Sequence, residues 1–489
     1  MILTGDLATL FVTYRTPFSL LRYWMKYFSL VLTAVVVTTF QPTQAEESST
    51  RHAILGSAYA SHEGYRVLQR ICDEAGGRLA GSEANDRALG ILEEELTRCG
   101  LASRRESFSM PGWVRGDDAV EVVSPAPRKL RAAALGYVHH HPPMEARLVW
   151  GGAGTEKELA GATDAIVLVN SESPRDEEPP LRYEVIDNAA RAGAKGVLFV
   201  NDKPGGLVLT GVGNFQGNPC PVPAYSITLE EGKWLRRLQT AGKEIRIRLT
   251  THSRCMPVQS ANLVASFPGK RQARIVVGAH VDSWDISQGA VDNGVGSAVL
   301  FEIARLLSLH AKTNLYAIDV VWFNAEELGL WGAKAYLARH AGDSIVALIN
   351  MDMPGRPAGM NVMGFDEFIP LVRGVMDSLK GFDWSQGIVS VPWSNSDHQP
   401  FLVQGIPCFT MAGHLEKESV FHYHDFGDTF DKADVRALVD AAAALSVVTY
   451  TLANNTSVEY QIRSVEERKK MFEGTGFEKR LKRQKEWPF

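Results

Sequence analysis

Cysteine is scarce in this chain: five residues in 489, at Cys72, Cys99, Cys220, Cys255 and Cys408. They are too few and too scattered for a disulfide scaffold or a cysteine-based zinc site. Cys220 and Cys255 are one pair open to oxidation in an oxidising compartment, and the odd count leaves at least one thiol free. A basic excess is missing as well. Fifty-one Lys+Arg face 56 Asp+Glu, for a formal charge of −5, whereas a nucleic-acid binder normally shows a strong positive balance. The Gly-rich stretch 205–213 lacks the strand–helix context of a phosphate loop and reads as a loop. What remains, 45% hydrophobic, 22% charged and 9% aromatic, is an ordinary globular composition. The length predicts two to four domains.

Long apolar runs are also rare. One follows Met25-Lys26, spans Tyr27 to Phe40, and is succeeded by the small residue Ala45 and a polar stretch. A basic start, an apolar core and a small residue form the order of a secretory signal, with cleavage after Ala45. Its 14 residues fall short of the ~20 needed to span a bilayer. Residues 1–45 are therefore read as a signal region, with Met25 an alternative start. The mature chain is read as exported (periplasmic or extracellular) and without stable membrane insertion.

Residues 53–100 have a helical pattern, with Ser82 as an N-cap and Leu89, Ile91, Leu92 and Leu96 as an apolar face. Between 117 and 254 the rhythm changes to short strands (166–169, 196–200, 245–249) and helices (185–192, 229–238). From Asn262 onward apolar strands alternate with long helices, the pattern of a mainly parallel sheet covered on both faces. The middle region thus reads as an insertion. The expected parts are 46–116 and 259–460 for one domain, 117–258 for the inserted one, and 461–489 for a charged tail. From Arg463 to Phe489 that tail holds nine Lys/Arg and five Asp/Glu and reads as a solvated helix. Residues 441–452 predict a closing amphipathic helix. His139, His140 and His141 precede two prolines in a loop of the insertion, and neighbours on one segment rarely converge on one ion.

In an open α/β sheet, ligands bind outside the carboxyl ends of the strands. Three predicted strands deliver polar residues there: His280 and Asp282 after RIVVGA, Glu326 and Glu327 after VVWFNA, and Asp352 after IVALINM. Asp292 lies in the loop that opens the next helix, and His422-Tyr423-His424 forms a further cluster. Each alone is an unremarkable strand end or helix cap. Together they place several acidic groups at one edge, where they repel unless a cation is present. Mixed His and carboxylate ligands suit zinc, less often manganese or cobalt.

These stretches also resemble the co-catalytic two-zinc exopeptidases and, within them, the carboxypeptidase Q family. The matching segments are GGRLAGSEAND (76–86), GAHVDSWDISQGAVDNGVGS (278–297), FNAEELGLWGA (323–333), NMDM (350–353), SDHQPF (396–401) and HDFGDT (424–429). The resemblance implies an α/β zinc exopeptidase fold, its mainly parallel central sheet flanked by helices, with an inserted β-rich protease-associated domain. It also implies two zinc ions per chain. His280 and Asp352 would hold one, Glu327 and His424 the other, and Asp292 would bridge them. Glu326 would be the general base, and Asp282 would orient His280 from behind.

The sequence departs from that family at Asp425, where relatives more often have Ser or Thr, and at Tyr423, where the carboxypeptidase Q family has His. A Tyr in the membrane-type glutamate carboxypeptidases stabilises the oxyanion, and Tyr423 is assigned that role by analogy. His424 is preferred to His422 as the ligand because it lies four residues before Asp428. His398 is expected to face substrate, and Trp284 to wall the pocket. The expected activity is hydrolysis of dipeptides or short peptides. The alternatives are an inactive binding protein of the same fold and a single-zinc acyltransferase resembling glutaminyl cyclase. Relatives are often homodimers, and the resemblance carries that assembly over as an expectation.

Overall fold

The chain is seen in a computed structural model that describes residues 44–170, 178–311 and 313–489. The Tyr27–Phe40 run and Met25 lie outside the described residues, while Ala45 lies in the helix Gln44–Tyr59. Residues 51–489 group into one unit built on two eight-stranded sheets.

The first sheet runs in the order Ser103–Val114, Arg254–Phe267, Asn314–Phe323, Gly269–His280, Ile345–Asn350, Cys408–His414, Arg356–Asn361 and Gly387–Val389. The strands Asn314–Phe323, Gly269–His280, Ile345–Asn350 and Cys408–His414 are mutually parallel. Apolar strand runs without alternation belong in such a doubly covered centre; every residue of Ile345–Asn350 is buried. Antiparallel pairing is confined to the flanks. There Ser103–Val114 and Arg254–Phe267 pair along their whole length, and Arg356–Asn361 runs against Cys408–His414. The sheet is therefore mixed, with the expected parallel character at its centre.

Val295–His310 and Val435–Ala453 pack against each other and against this sheet. The second of these was expected to be amphipathic. Instead it is buried along nearly its whole length, as a helix that is apolar all round must be. Of its Ser and Thr hydroxyls, that of Thr451 donates to the Val447 carbonyl, while those of Ser446 and Thr449 are buried without a hydrogen-bond partner.

The second sheet has the order Arg128–Lys129, Ala119–Ser124, Arg246–Thr251, His141–Trp150, Ala165–Asn170, Gly196–Val200, Ala224–Ile227 and Ala132–Ala134. It carries its own apolar core, with the helices Arg182–Arg191 and Leu229–Thr240 packed on Gly196–Val200.

The charged tail is not a free solvated helix. It forms two short helices, Val465–Phe472 and Gly476–Gln484, capped by Ser464 and Thr475. Phe472, Phe477 and Leu481 are buried in the core of the first sheet. Their few apolar positions fall on one side, and that side decides where the tail sits despite its charge. All five cysteines are thiols; Cys220 and Cys255 lie against the carbonyls of Gly136 and Tyr137.

Candidate active site

The parallel register aligns His280 with Phe323 and Gly278 with Asn350, so the three strands end at one edge. His280 is the last residue of its strand, Glu326 and Glu327 follow Phe323 by three and four residues, and Asp352 follows Asn350 by two. At that edge His280 Nε2 lies 3.3 Å from Asp292 Oδ1 and 3.4 Å from Asp352 Oδ1. His424 Nε2 lies 3.0 Å from Asp292 Oδ2 and 3.1 Å from Glu327 Oε2. Asp292 thus presents one oxygen to each histidine. Two groups able to converge on an ion result, His280–Asp292–Asp352 and Asp292–Glu327–His424, and they share Asp292. His422 and the three histidines 139–141 belong to neither.

The electrostatics of this cluster are unbalanced. Burial pushes the Glu326 carboxyl well above its usual range, helped by Asp352 and Glu327 and opposed by His280. Burial likewise raises Glu327 to about 7, against the pull of His424. Burial disfavours charge on His424, yet the Glu327 and Asp292 carboxylates hold its pKa at about 10. Among the described residues, His280 and His424 are the basic side chains within the two groups of this cluster. His280 Nε2 and Glu327 Oε1 are buried without a hydrogen-bond partner, and both point into it. Such a donor set fits divalent cations of the nitrogen- and oxygen-binding kind.

Each of these residues is held from behind. The Asp428 carboxylate accepts from the N–H groups of Val291 and Asp292, at 2.8 and 3.0 Å. Arg78, fully buried, donates to the carbonyls of Val281, Gln288 and Gly289, fixing the loop between His280 and Asp292. Asp282 was expected to orient His280 through its carboxylate. The structure divides that work: the Asp282 backbone carbonyl faces His280 Nδ1 at 3.1 Å, while the carboxylate stands 3.7 Å from that nitrogen and accepts from the N–H groups of Glu326 and Glu327. Ala325, Met353 and His424 all have positive φ. Non-glycine residues in this region cost energy and gather at functional sites.

The second sheet's lobe reaches the same place. His424 Nδ1 lies 3.3 Å from the Thr210 carbonyl, and Thr210 N–H donates to the His424 carbonyl at 3.0 Å. Asp425 joins in, accepting from the N–H of Val208 at 2.7 Å and of Gly427 at 2.9 Å. A Ser or Thr side chain offers one oxygen and could not span both, which accounts for the unusual Asp. Gly211 has no room for a side chain: a Cβ would fall 2.5 Å from Arg182 Nη1 and 3.8 Å from His424 Nδ1.

A cavity of about 320 Å³ opens on the cluster, lined by Glu326, Glu327, Trp284, Tyr423 and His424 on one side. Trp284 is buried edge-on against Trp113 and His424, and Tyr423 stacks on His424 with ring centroids 3.8 Å apart. His398 is placed differently from the expectation. It is 0% exposed, its Nε2 lies 2.9 Å from the Trp393 carbonyl, its ring packs on Trp393, and it is absent from the cavity wall. Its own neighbour Asp397 was passed over, yet it is fully buried with neither oxygen bonded. Arg182, Thr210, Gly211 and Arg480 were also missed. No motif marks them, since they reach the site only by contact between distant segments.

Residues 262–449 match peptidase family M28, and residues 144–235 match the PA domain. Carboxypeptidase Q from Bos taurus is 27% identical over 409 residues, covering 81% of this chain and 86% of the bovine one. Aminopeptidase YwaD from Bacillus subtilis is 25% identical over 411 residues, covering 80% and 85%. Among solved structures, the peptidase M28 precursor from Shewanella amazonensis superposes with a TM-score of 0.74 at 24% identity, over 85% of this chain and 98% of that one. Residues 262–449 are thus similar to peptidase family M28 and residues 144–235 to PA domains.

Proposed function

We propose that the protein is a zinc-dependent exopeptidase that hydrolyses dipeptides or the ends of short peptides. The observation that carries this reading is the division of the Asp292 carboxylate, one oxygen towards His280 and the other towards His424. His280 and Asp352 would hold one zinc ion, Glu327 and His424 a second, with Asp292 spanning both. Two zinc ions held there would supply polarisation of a scissile carbonyl and acidification of a water to near neutral pH. Glu326 is the group that takes a proton from the attacking water and returns it to the leaving amine nitrogen. Its backbone is gripped by Asp282, which keeps the carboxylate aimed into the cavity. Tyr423, held by its stack on His424, offers its hydroxyl to the oxyanion. Trp284 packs against His424 and narrows the cavity beside it.

The cavity volume, about 320 Å³, is at the small end of ligand pockets, roughly 300–1,000 Å³. That favours a chain end over the middle of a long peptide. The Tyr27–Phe40 run supports export of the mature chain to the periplasm or the outside of the cell. The test is hydrolysis of an unblocked dipeptide by the wild-type chain and by Glu326→Gln, before and after chelation and zinc return. Cleavage that is lost on chelation, returns with zinc and collapses in the variant supports the reading. Equal inertness of both chains with two zinc ions bound would overturn it in favour of a binding protein, and one ion per chain would favour the acyltransferase.

A further inference from the structure

Two guanidinium groups line the cavity with no carboxylate in ion-pair contact among the described residues. Arg182 donates to the Thr210 carbonyl at 2.7 Å. Arg480 meets the Asn395 side-chain amide, 3.2 Å from Nε and 2.7 Å from Nη2, and its charge reaches Glu178 and Glu184 without an ion-pair contact. Their neighbours behave otherwise. Arg483 pairs with Glu184 and Glu178, and Lys479 pairs with Glu178. Burial disfavours the charge on Arg182, and a buried cation without an anion is costly unless something supplies one. Tyr183, on the same wall, has a buried hydroxyl with no hydrogen-bond partner.

Glu326 and Glu327 line the same cavity as these cations. A Cβ built on Gly211 would lie 2.5 Å from Arg182 Nη1 and 3.8 Å from His424 Nδ1, so the Arg182 guanidinium stands within ~6 Å of the His424 ring, a span of one or two residues of peptide. The helix that carries Arg480, Gly476–Gln484, is held on both sides of the cavity. Arg483 pairs with Glu184 and the Gln484 carbonyl accepts from Gln216 on the PA-domain side. Glu486, just beyond the helix, pairs with Lys334 and accepts from Gln399 on the other. Arg480 also borders an outer groove with Lys479, Arg483 and Glu178, where three cations face one carboxylate, so the groove keeps a net positive charge towards an anionic chain end.

We propose that Arg480, seconded by Arg182, reads the free α-carboxylate of the substrate, so that the substrate class is a dipeptide or short peptide presenting its own C-terminus. This deepens the exopeptidase reading and rests on it. Charge-assisted bonds of an arginine to a carboxylate give both strength and geometry, and an amidated C-terminus cannot form them.

The full-length chain is assayed with Leu-Ala, its C-amide, and Leu-Glu amide, as wild type, Arg480→Gln, Arg480→Lys and Lys470→Gln. Lys470 carries the same charge on the neighbouring helix and is not a cavity residue, so it reports the effect of net charge alone. The expected result is a kcat/KM for Leu-Ala that falls roughly 10- to 100-fold in Arg480→Gln. The change is to be carried by KM, with partial rescue in Arg480→Lys and none of the loss in Lys470→Gln. The amides should be poor substrates of every form and indifferent to Arg480. Binding of intact Leu-Ala and its amide to Glu326→Gln, by calorimetry, gives the same comparison without turnover: the free acid binds tighter, and adding Arg480→Gln removes the difference. Wild type cleaving the amide as well as the acid would overturn the proposal while leaving the peptidase reading intact. So would Leu-Glu amide matching Leu-Ala, which would assign the cations to an acidic side chain. Binding without cleavage of any substrate by zinc-loaded wild type would instead overturn the peptidase reading. Should Arg480→Gln fail to fold, the salt dependence of wild-type kcat/KM decides, falling with salt for the acid more steeply than for the amide, equal slopes counting against the proposal.

Discussion

The carboxylate of Asp282 accepts from the backbone N–H of Glu326 at 3.1 Å, bridging the ends of two neighbouring strands. A second bond, to the N–H of Glu327 at 3.3 Å, makes the grip bidentate. One side chain therefore sets the position of both the candidate base and a candidate ligand. Asp282→Asn retains the shape but turns an amide NH2 towards one of the two N–H groups. Outer-shell partners of metal ligands commonly contribute about 10–100-fold in affinity or rate. The expected result is a loss of that order in kcat and a weaker zinc affinity, read by steady-state kinetics and a competitive zinc chelator. An unaltered kcat would mean that the Glu326-Glu327 backbone is held by other contacts.

Glu326→Gln removes the proton acceptor and little else. The side chain touches the cavity rather than either ligand group, so zinc content and thermal midpoint should stay at wild-type levels. The rate should fall about 10²–10⁴-fold. Full metal occupancy with wild-type turnover would exclude Glu326 as the base.

Metal removal separates one shared ligand from two unshared ones. Elemental analysis of wild type should give two zinc ions per chain, with His424→Ala retaining one and Asp292→Ala retaining neither. Chelation should lower the thermal midpoint, because an ion that binds only the folded chain stabilises it by mass action, and zinc should restore it. A single ion in wild type would contradict the division of Asp292 between two positions.

His398 provides a pH test away from the cluster. Burial lowers its pKa to about 4, only partly offset by the Trp393 carbonyl, from an unfolded value near 6.5. A neutral buried histidine gives stability that is present above pH ~6.5 and lost as pH falls towards 4, because the unfolded chain binds the proton first. The shift corresponds to about 3 kcal/mol at most. Urea titrations between pH 7 and 4, at fixed zinc, should show His398→Gln losing less stability over that window than wild type. Parallel losses would place the histidine in contact with solvent.

The candidate site was legible wherever it follows from strand geometry. His280, Glu326, Glu327 and Asp352 stand at the carboxyl ends of parallel strands, and an apolar run that stops at a polar residue announces that edge in the sequence. Asp292 and His424 came from loop motifs, which carry the resemblance but no direction. The contact between His424 and the Thr210 carbonyl spans 214 residues, and nothing local to either residue signals it. His398 was misjudged for a related reason. Its motif lies near the site in sequence, but whether a side chain faces the cavity or the core depends on helix orientation, and Trp393 decides that here. The tail was misjudged because its charge outnumbers its three buried apolar residues, although those three set where it docks.

The position of the helix Gly476–Gln484 across the cavity bears on the order in which the molecule is made. Synthesis delivers every metal-facing residue before Arg480 leaves the ribosome. A nascent chain can gather its histidines and carboxylates while the cavity still lacks a wall. The cluster and the cavity wall are thus separable parts of the chain: a chain ending before Gly476 would keep every residue of the histidine–carboxylate cluster and lose the wall that Arg480 and Gln484 supply.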